Sequence, residues 1–165
     1  MNFIYCPECG SKLSTRNLGD EGAVPWCDNC DKPWFPIFPS AIIALVYNEN
    51  NEVLLLRQGY ISHEFCNLVS GYIKPGENAE ETAVREILEE TGQVVEELTP
   101  VCTNWFAKKD MMMLGYFAKV KARPIRLSVE VDSAEWVSPE IALKMVHQNE
   151  TSTSRLLTKK FLEKI

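Results

Sequence analysis

GYIKPGENAEETAVREILEETG, residues Gly71–Gly92, reads as a tight loop followed by a helix that carries a cluster of carboxylates. Pro75-Gly76 is a turn signal, and Asn78 is a good N-cap for a helix running to about Thr91. Gly92 stands where a helix commonly ends in a left-handed residue. At ~100° per residue, Glu86, Glu89 and Glu90 fall within an arc of roughly 100°, so their carboxylates converge on one face. Val84, Ile87 and Leu88 are expected to form a separate apolar face that docks on a core. Three acids crowded together repel unless a cation sits among them. Oxygen-rich clusters of this kind suit Mg²⁺ or Mn²⁺, with water and substrate phosphates completing the shell.

Taken alone, a Glu-rich helix is most simply a solvated face. The loop before it changes that reading. The segment resembles the Nudix box, G-x5-E-x7-R-E-U-x-E-E-x-G-U, where U is a bulky aliphatic residue. Gly71, Glu77, Arg85, Glu86, Ile87, Glu89, Glu90 and Gly92 all stand at the required spacing. Gln93 departs from the pattern, and the neighbouring Val94 is expected to take over its aliphatic packing role.

Outside this segment, length and composition fit a small enzyme. A chain of 165 residues with 45% hydrophobic content can bury one core plus a small appendage. Its formal net charge of −6 gives no sign of a polyanion binder working through bulk electrostatics, so an acidic protein that handles phosphates needs metal ions between the two. The strongly apolar stretch Ala41–Tyr47 is too short to span a bilayer. The start, MNFIYCPECG, lacks the charged segment and apolar run of a signal peptide, which makes the cytoplasm the expected location.

Four of the six cysteines form two short pairs, Cys6-x2-Cys9 and Cys27-x2-Cys30, separated by Gly10–Trp26. Four thiolates at this spacing favour a tetrahedral, structural Zn²⁺ site, and CPECG has the form of a zinc-ribbon knuckle. Disulfides and a redox pair are the alternatives, and a leaderless chain disfavours them. Residues 1–36 hold too few aliphatics to fold by burial alone, so metal binding would supply their folding free energy. Lys12, Arg16 and Lys32 are opposed there by Glu8, Asp20, Glu21, Asp28 and Asp31, which favours a structural or dimerisation module over a nucleic-acid binder. Cys66 and Cys102 are isolated and read as inert thiols.

Further along, Trp34–Pro39 reads as a stiff connector whose prolines rule out helix. Strands are predicted at Ala41–Tyr47 and Glu52–Arg57 around an Asn48–Asn51 turn, and at Asn67–Ser70, Val101–Trp105 and Met111–Val120. Lys108-Lys109-Asp110 reads as the turn between the last two. Ser128–Glu130 and Ala134–Val137 read as short extended pieces, and helices are predicted at Pro139–Val146 and Ser154–Lys164. No internal repeat is visible. Strands flanking a central helix, then a terminal helix, fit an α/β chain. The resemblance implies the Nudix α/β/α sandwich with a mixed sheet, over residues 37–165.

The pairing of a ribbon with this domain narrows the resemblance. CxxC…CxxC, then WFPIFPSAIIALVYN, then the late SVEVDSAEWVS, together resemble the NADH pyrophosphatase group, and Glu130 matches an acidic position there. Of that group's downstream S-Q-P-W-P-F-P-x-S signature, Cys102–Asp110 keeps only Trp105. The implied substrate class is therefore a nucleoside diphosphate derivative: NADH or NAD⁺, ADP-ribose, FAD or a capped RNA end. The resemblance implies Mg²⁺ or Mn²⁺ held by Glu86, Glu89, Glu90 and the Gly71 carbonyl, with Arg85 an orienting partner paired to Glu77. Glu130 stands as a further ligand or a general base, with Glu86 and Glu89 as rival bases; its plainer reading is an exposed strand acid. Glu80 and Glu81 point away and read as solvated. A homodimer is also implied.

Trp105 reads equally as a base-stacking residue and as a core side chain. Met111–Met113 read as core filling, His63 and His147 lack metal-ligand spacing, and Tyr60 and Phe65 are candidate cleft residues. Two functional classes follow. The first is a metal-dependent hydrolase that splits a pyrophosphate bond. The second is a non-catalytic Nudix-fold nucleotide sensor or nucleic-acid-associated ribbon module, against which the complete set Glu86, Glu89 and Glu90 argues.

Overall fold

The computed structural model describes residues 3–165, which fall into two units, one ending at Phe38 and the other Pro39–Ile165. The smaller unit is a three-stranded antiparallel sheet of β1 (Ser14–Asn17), β2 (Ala23–Cys27) and β3 (Lys32–Pro33). Among its described residues the buried hydrophobic ones are Cys6, Val24 and Cys27, which is no core in the ordinary sense. Arg16 lies over the Trp26 ring and pairs with Asp28 at 2.6 Å, while Lys32 pairs with Glu8 and lies over Trp34. Two of the three basic side chains considered for nucleic acid are thus already engaged by acids.

The larger unit is built on β4 (Ser40–Tyr47), whose apolar run is continuous because both faces of the strand are covered. Ile42, Ala44 and Val46 point to one side, where helix α1 (Ala79–Thr91) packs through Ala83 and Ile87. Ala41, Ile43, Leu45 and Tyr47 point to the other, into a cluster with Ala142, Leu157 and Phe161 from helices α2 (Pro139–Met145) and α3 (Thr153–Lys164). The sheet also contains β5 (Val53–Arg57), β6 (Val69–Tyr72), β7 (Val95–Phe106), β8 (Met111–Val120) and β9 (Ser133–Val137). Its order is β7-β8-β4-β5-β9, with β4 and β8 parallel and the other pairs antiparallel. This is the mixed α/β/α sandwich expected.

One edge of β4 pairs with β8 along its full length, from Ser40↔Met112 to Tyr47↔Lys119. The other edge is shared: Ala41–Ala44 pair with β6, and Tyr47 pairs with Val53 of β5. The fork between β5 and β6 places Gly71 opposite Ile42, directly before the helix-bearing segment.

Four expectations need correction. The strand expected at Asn67–Ser70 lies at Val69–Tyr72, so Gly71 and Tyr72 belong to a strand rather than a loop. The strand expected at Val101–Trp105 is the much longer β7, whose polar first half escapes a hydrophobic-pattern reading. It tolerates Pro100 because it is an edge strand with a register shift at that point. Ser128–Glu130 is not extended; Val129 and Glu130 form a turn. On α1, Ile87 is buried, but Val84 (42% exposed) and Leu88 (51%) face solvent. The helix is rolled so that Thr82, Ala83, Ile87, Glu90 and Thr91 form the buried face, which carries an acid inward.

Candidate active site

α1 begins as its sequence dictates. Asn78 Oδ1 accepts from the Glu81 amide at 2.8 Å, and Glu81 Oε2 accepts from the Asn78 amide at 3.0 Å, a complete capping box. Glu81 therefore has a structural role, as does Glu80, whose carboxylate accepts from the Tyr116 hydroxyl at 2.9 Å. The helix ends at Gly92 with φ 70°, and its amide donates to Leu88 O. The next residue, Gln93, is fully buried, whereas Val94 is exposed. Gln93 rather than Val94 fills the position the pattern reserves for an aliphatic residue. It does so because the Arg123 backbone satisfies its amide: Nε2 donates to Arg123 O and Oε1 accepts from Arg123 N, both at 3.0 Å.

The rolled helix spreads its three acids across a gradient of burial. Glu90 is 4% exposed, the Glu86 side chain is largely covered, and Glu89 stands at the rim. Arg85 organises this face. Its Nε and one terminal nitrogen grip the two oxygens of Glu77 at 2.7 and 2.8 Å, and its other terminal nitrogen reaches Glu86 at 2.7 Å and Glu89 at 3.1 Å. That fork holds the Glu77 carboxyl down at about 2. No side-chain cation pairs with Glu90 among the described residues. Burial, and next the charge of Glu86, push its carboxyl up to about 7.

These residues border a cleft of about 450 Å³ that contains Gly71, Arg85, Glu86, Glu89, Glu90 and Glu130. Glu77 does not line it and acts through Arg85. Lys74 and Lys109 bring positive charge, Tyr60, Ile61 and Tyr72 line the cleft with exposed side chains, and Ala41, Met111 and Met113 add apolar wall. The methionines thus serve both the core and the cleft. Trp105 does not line it, and Phe65 packs instead on His147 with ring centroids 4.8 Å apart. Lys74, Lys109 and Gln58 escaped the sequence reading. Lys109 had only its place in a turn to recommend it, and Gln58 only its polarity at the end of an apolar strand.

Two observations test whether a divalent cation suits this set. Any Cβ at Gly71 would overlap the Glu86 carboxylate, so the absent side chain is what lets that carboxylate lie against β6 and its backbone. Glu90 Oε2 is buried without a hydrogen-bond partner. A bare carboxylate oxygen beside further acids is the donor chemistry of Mg²⁺ or Mn²⁺. The residues fit.

In the small unit, the sulfurs of Cys6, Cys9, Cys27 and Cys30 all lie within 4.8 Å of one another. Cys6–Cys30 and Cys9–Cys27 are 3.9 and 3.5 Å apart, too far for disulfides. Sulfurs around a tetrahedral zinc, with bonds of about 2.3 Å, lie about 3.8 Å apart. The Cys30 amide donates to Cys27 Sγ at 3.3 Å, as a knuckle requires. Hydrogen bonds led by Ser11 hold the Cys9 thiol down, whereas its neighbour Cys9 pushes the Cys30 thiol up. Four such sulfurs do not all ionise without a cation among them. Cys66 and Cys102 stand apart, and burial raises both thiols.

The family model described as the NUDIX domain matches residues 37–158. The chain belongs to the Nudix family. Among curated relatives, Nudix hydrolase 19, chloroplastic, from Arabidopsis thaliana is 31% identical over 143 residues, covering 82% of this chain and 32% of that protein. The NAD-capped RNA hydrolase NudC of Pseudomonas aeruginosa is 27% identical over 135 residues, 81% of this chain and 47% of its own. This Nudix chain thus spans about a third to a half of the length of these relatives. A NUDIX hydrolase from Nitrosomonas europaea has the same fold, with a TM-score of 0.73 at 19% identity over 98% of this chain and 92% of that one. MutT from Methanosarcina mazei is 28% identical, with a TM-score of 0.58 over 79% and 97% of the two chains. No helix among the described residues is long and apolar enough to cross a membrane.

Proposed function

We propose that this Nudix chain is a metal-dependent hydrolase that cleaves the pyrophosphate bond of a nucleoside diphosphate derivative. The observation that carries the reading is the set of acids lining one cleft from α1, with Glu86 packed against Gly71 of β6 and Glu90 offering a buried, unpartnered carboxylate oxygen. Glu86, Glu89, Glu90, Glu130 and the Gly71 carbonyl would hold one or more divalent cations. Bound Mg²⁺ or Mn²⁺ shields phosphoryl charge and lowers the pKa of bound water. Arg85, clamped by Glu77, keeps Glu86 and Glu89 in place rather than touching substrate. Glu86, Glu89 and Glu130 are the acids from which a general base is drawn. Lys74 and Lys109 suit the second phosphate, and Tyr60 and Tyr72 suit a flat ring. Trp105 is set aside as a substrate residue, because it lies off the cleft wall.

Within that class, the relatives include hydrolases of NAD-capped RNA, and NADH or NAD⁺, split to AMP and nicotinamide mononucleotide, heads the substrates to test. We take residues 37–165 as the catalytic domain of a cytoplasmic enzyme that works as a homodimer, and residues 1–36 as a ribbon holding one structural Zn²⁺ on Cys6, Cys9, Cys27 and Cys30. The sensor reading is disfavoured, because ligand binding alone does not call for the whole acidic set.

Product analysis by liquid chromatography and mass spectrometry tests the activity. Protein with Mg²⁺ or Mn²⁺ is given NADH, NAD⁺, ADP-ribose, FAD, a dinucleoside polyphosphate and an NAD-capped oligonucleotide. Metal-dependent monophosphate products are expected from at least one, with turnover falling about 100-fold or more in Glu89→Gln. Tight nucleotide binding with no product from any of them would favour the sensor.

A further inference from the structure

Gln58 follows Arg57, the last residue of β5, and is only 2% exposed. A polar side chain at that depth normally uses all its hydrogen-bonding groups. Its Nε2 donates to Glu90 Oε1 at 3.1 Å and lies 3.4 Å from the Tyr60 hydroxyl. Ionised, as a metal ligand must be, Glu90 only accepts, and the amide then presents its nitrogen to it. Yet Gln58 Oε1 and Glu90 Oε2 are both buried with no hydrogen-bond partner. A hydrogen-bonded pair that leaves one bare acceptor on each member is poorly explained by core packing, since each bare group carries a desolvation penalty.

The chemistry of the donor matters as well. Glu77, Glu86 and Glu89 all receive the Arg85 guanidinium. Glu90 receives a neutral amide instead. A lysine or arginine at position 58 would neutralise Glu90 and take the place of a cation. An apolar residue would leave both carboxylate oxygens bare and the group free to turn. A neutral donor orients the carboxylate without neutralising it.

We propose that Gln58 is a positioning residue for the divalent-cation site, occupying Oε1 of Glu90 so that Oε2 is the single oxygen offered to the metal. This rests on the metal reading above and extends it to a residue outside the motif. Partners of this kind fix the ligand's orientation and tune its affinity.

The test is Mn²⁺ binding, followed by the electron paramagnetic resonance of free Mn²⁺, to the zinc-loaded full chain. The proteins are wild type, Gln58→Met, Glu90→Gln and the double variant, each checked for folding by its urea transition. Methionine keeps the length of the side chain and removes the donor; Gln58→Leu serves if the methionine variant does not fold. Gln58→Met is expected to weaken Mn²⁺ binding about 10- to 100-fold. It is expected to add nothing in the Glu90→Gln background, where the orientation it sets no longer matters. Unchanged affinity in Gln58→Met, or an equal loss in both backgrounds, would overturn the role of Gln58 alone. A wild type that binds no Mn²⁺ would overturn the metal reading with it.

Discussion

Glu90 illustrates how a single buried side chain ties stability to pH in this protein. Its carboxyl is pushed up to about 7, from 4.5, by burial and then by Glu86. The folded protein therefore keeps a proton that the unfolded chain releases near pH 4.5. Without divalent cations, this contribution is fully present below pH 4.5 and is lost as pH rises through about 7. The loss amounts to as much as about 3 kcal/mol. Glu77, held at about 2 by Arg85, works in the opposite direction and in a separate window, losing its contribution only as pH falls from 4.5 through 2. The urea midpoint of zinc-loaded, Mg²⁺-free protein should thus fall between about pH 5 and pH 8, and recover when Mg²⁺ is added. Glu90→Gln should remove the fall; an identical decline in that variant would assign it to other groups. At this scale the sequence was legible wherever chemistry is local. Asn78, Glu81 and Gly92 act within one helical turn of their partners, and Arg85 meets Glu77, Glu86 and Glu89 within the same segment. Gln58 and Lys109 were not legible, because what defines them is a cleft assembled from distant segments.

At the scale of the element, α1 shows what hydrophobic pattern misses. Its large apolar residues suggested a docking face centred on Val84, Ile87 and Leu88, but the core accepts Ala83, Ile87 and Thr91, with Glu90 among them. Small and polar residues carry little weight in such a pattern, yet they let the helix approach the sheet while turning its acids toward β6. Ile87→Ala should therefore destabilise the larger unit by about 2–5 kcal/mol. Leu88→Lys should stay within about 0.5 kcal/mol of the parent. Urea denaturation of both variants checks the roll of the helix, and comparable losses would mean that Leu88 is also buried. β7 teaches the complementary lesson. Its first half is polar and contains a proline, so nothing local marks it as strand, and only its ladder with β8 makes it one.

Across the whole molecule, the two units are held by different forces. The Nudix unit has apolar clusters on both faces of its sheet. Among its described residues the small unit buries Val24 and two of the four clustered cysteines, so a metal held by those sulfurs would supply the order that apolar burial does not. A zinc chelator should release about one Zn²⁺ per chain and unfold the segment up to Phe38, leaving the sheet around β4 protected. Hydrogen exchange read by mass spectrometry distinguishes the two, and unchanged protection in the small unit after zinc loss would sink this account. The cysteine spacing made the clustering of those four sulfurs legible. The fork of β4 was not, because strand order is decided by packing between segments far apart in the chain.

The parallel pairing of β4 with β8 also has a consequence for biosynthesis. Its register joins Ser40 to Met112 and Tyr47 to Lys119. The central ladder therefore cannot close until the ribosome has delivered Lys119, and until then β4 is an apolar strand without its long partner. The small unit is under no such delay, since its strands and its four cysteines are complete by Pro33. During synthesis the cysteine-bearing unit is thus able to fold as soon as it is delivered, while the apolar stretch of β4 waits for a partner still inside the ribosome.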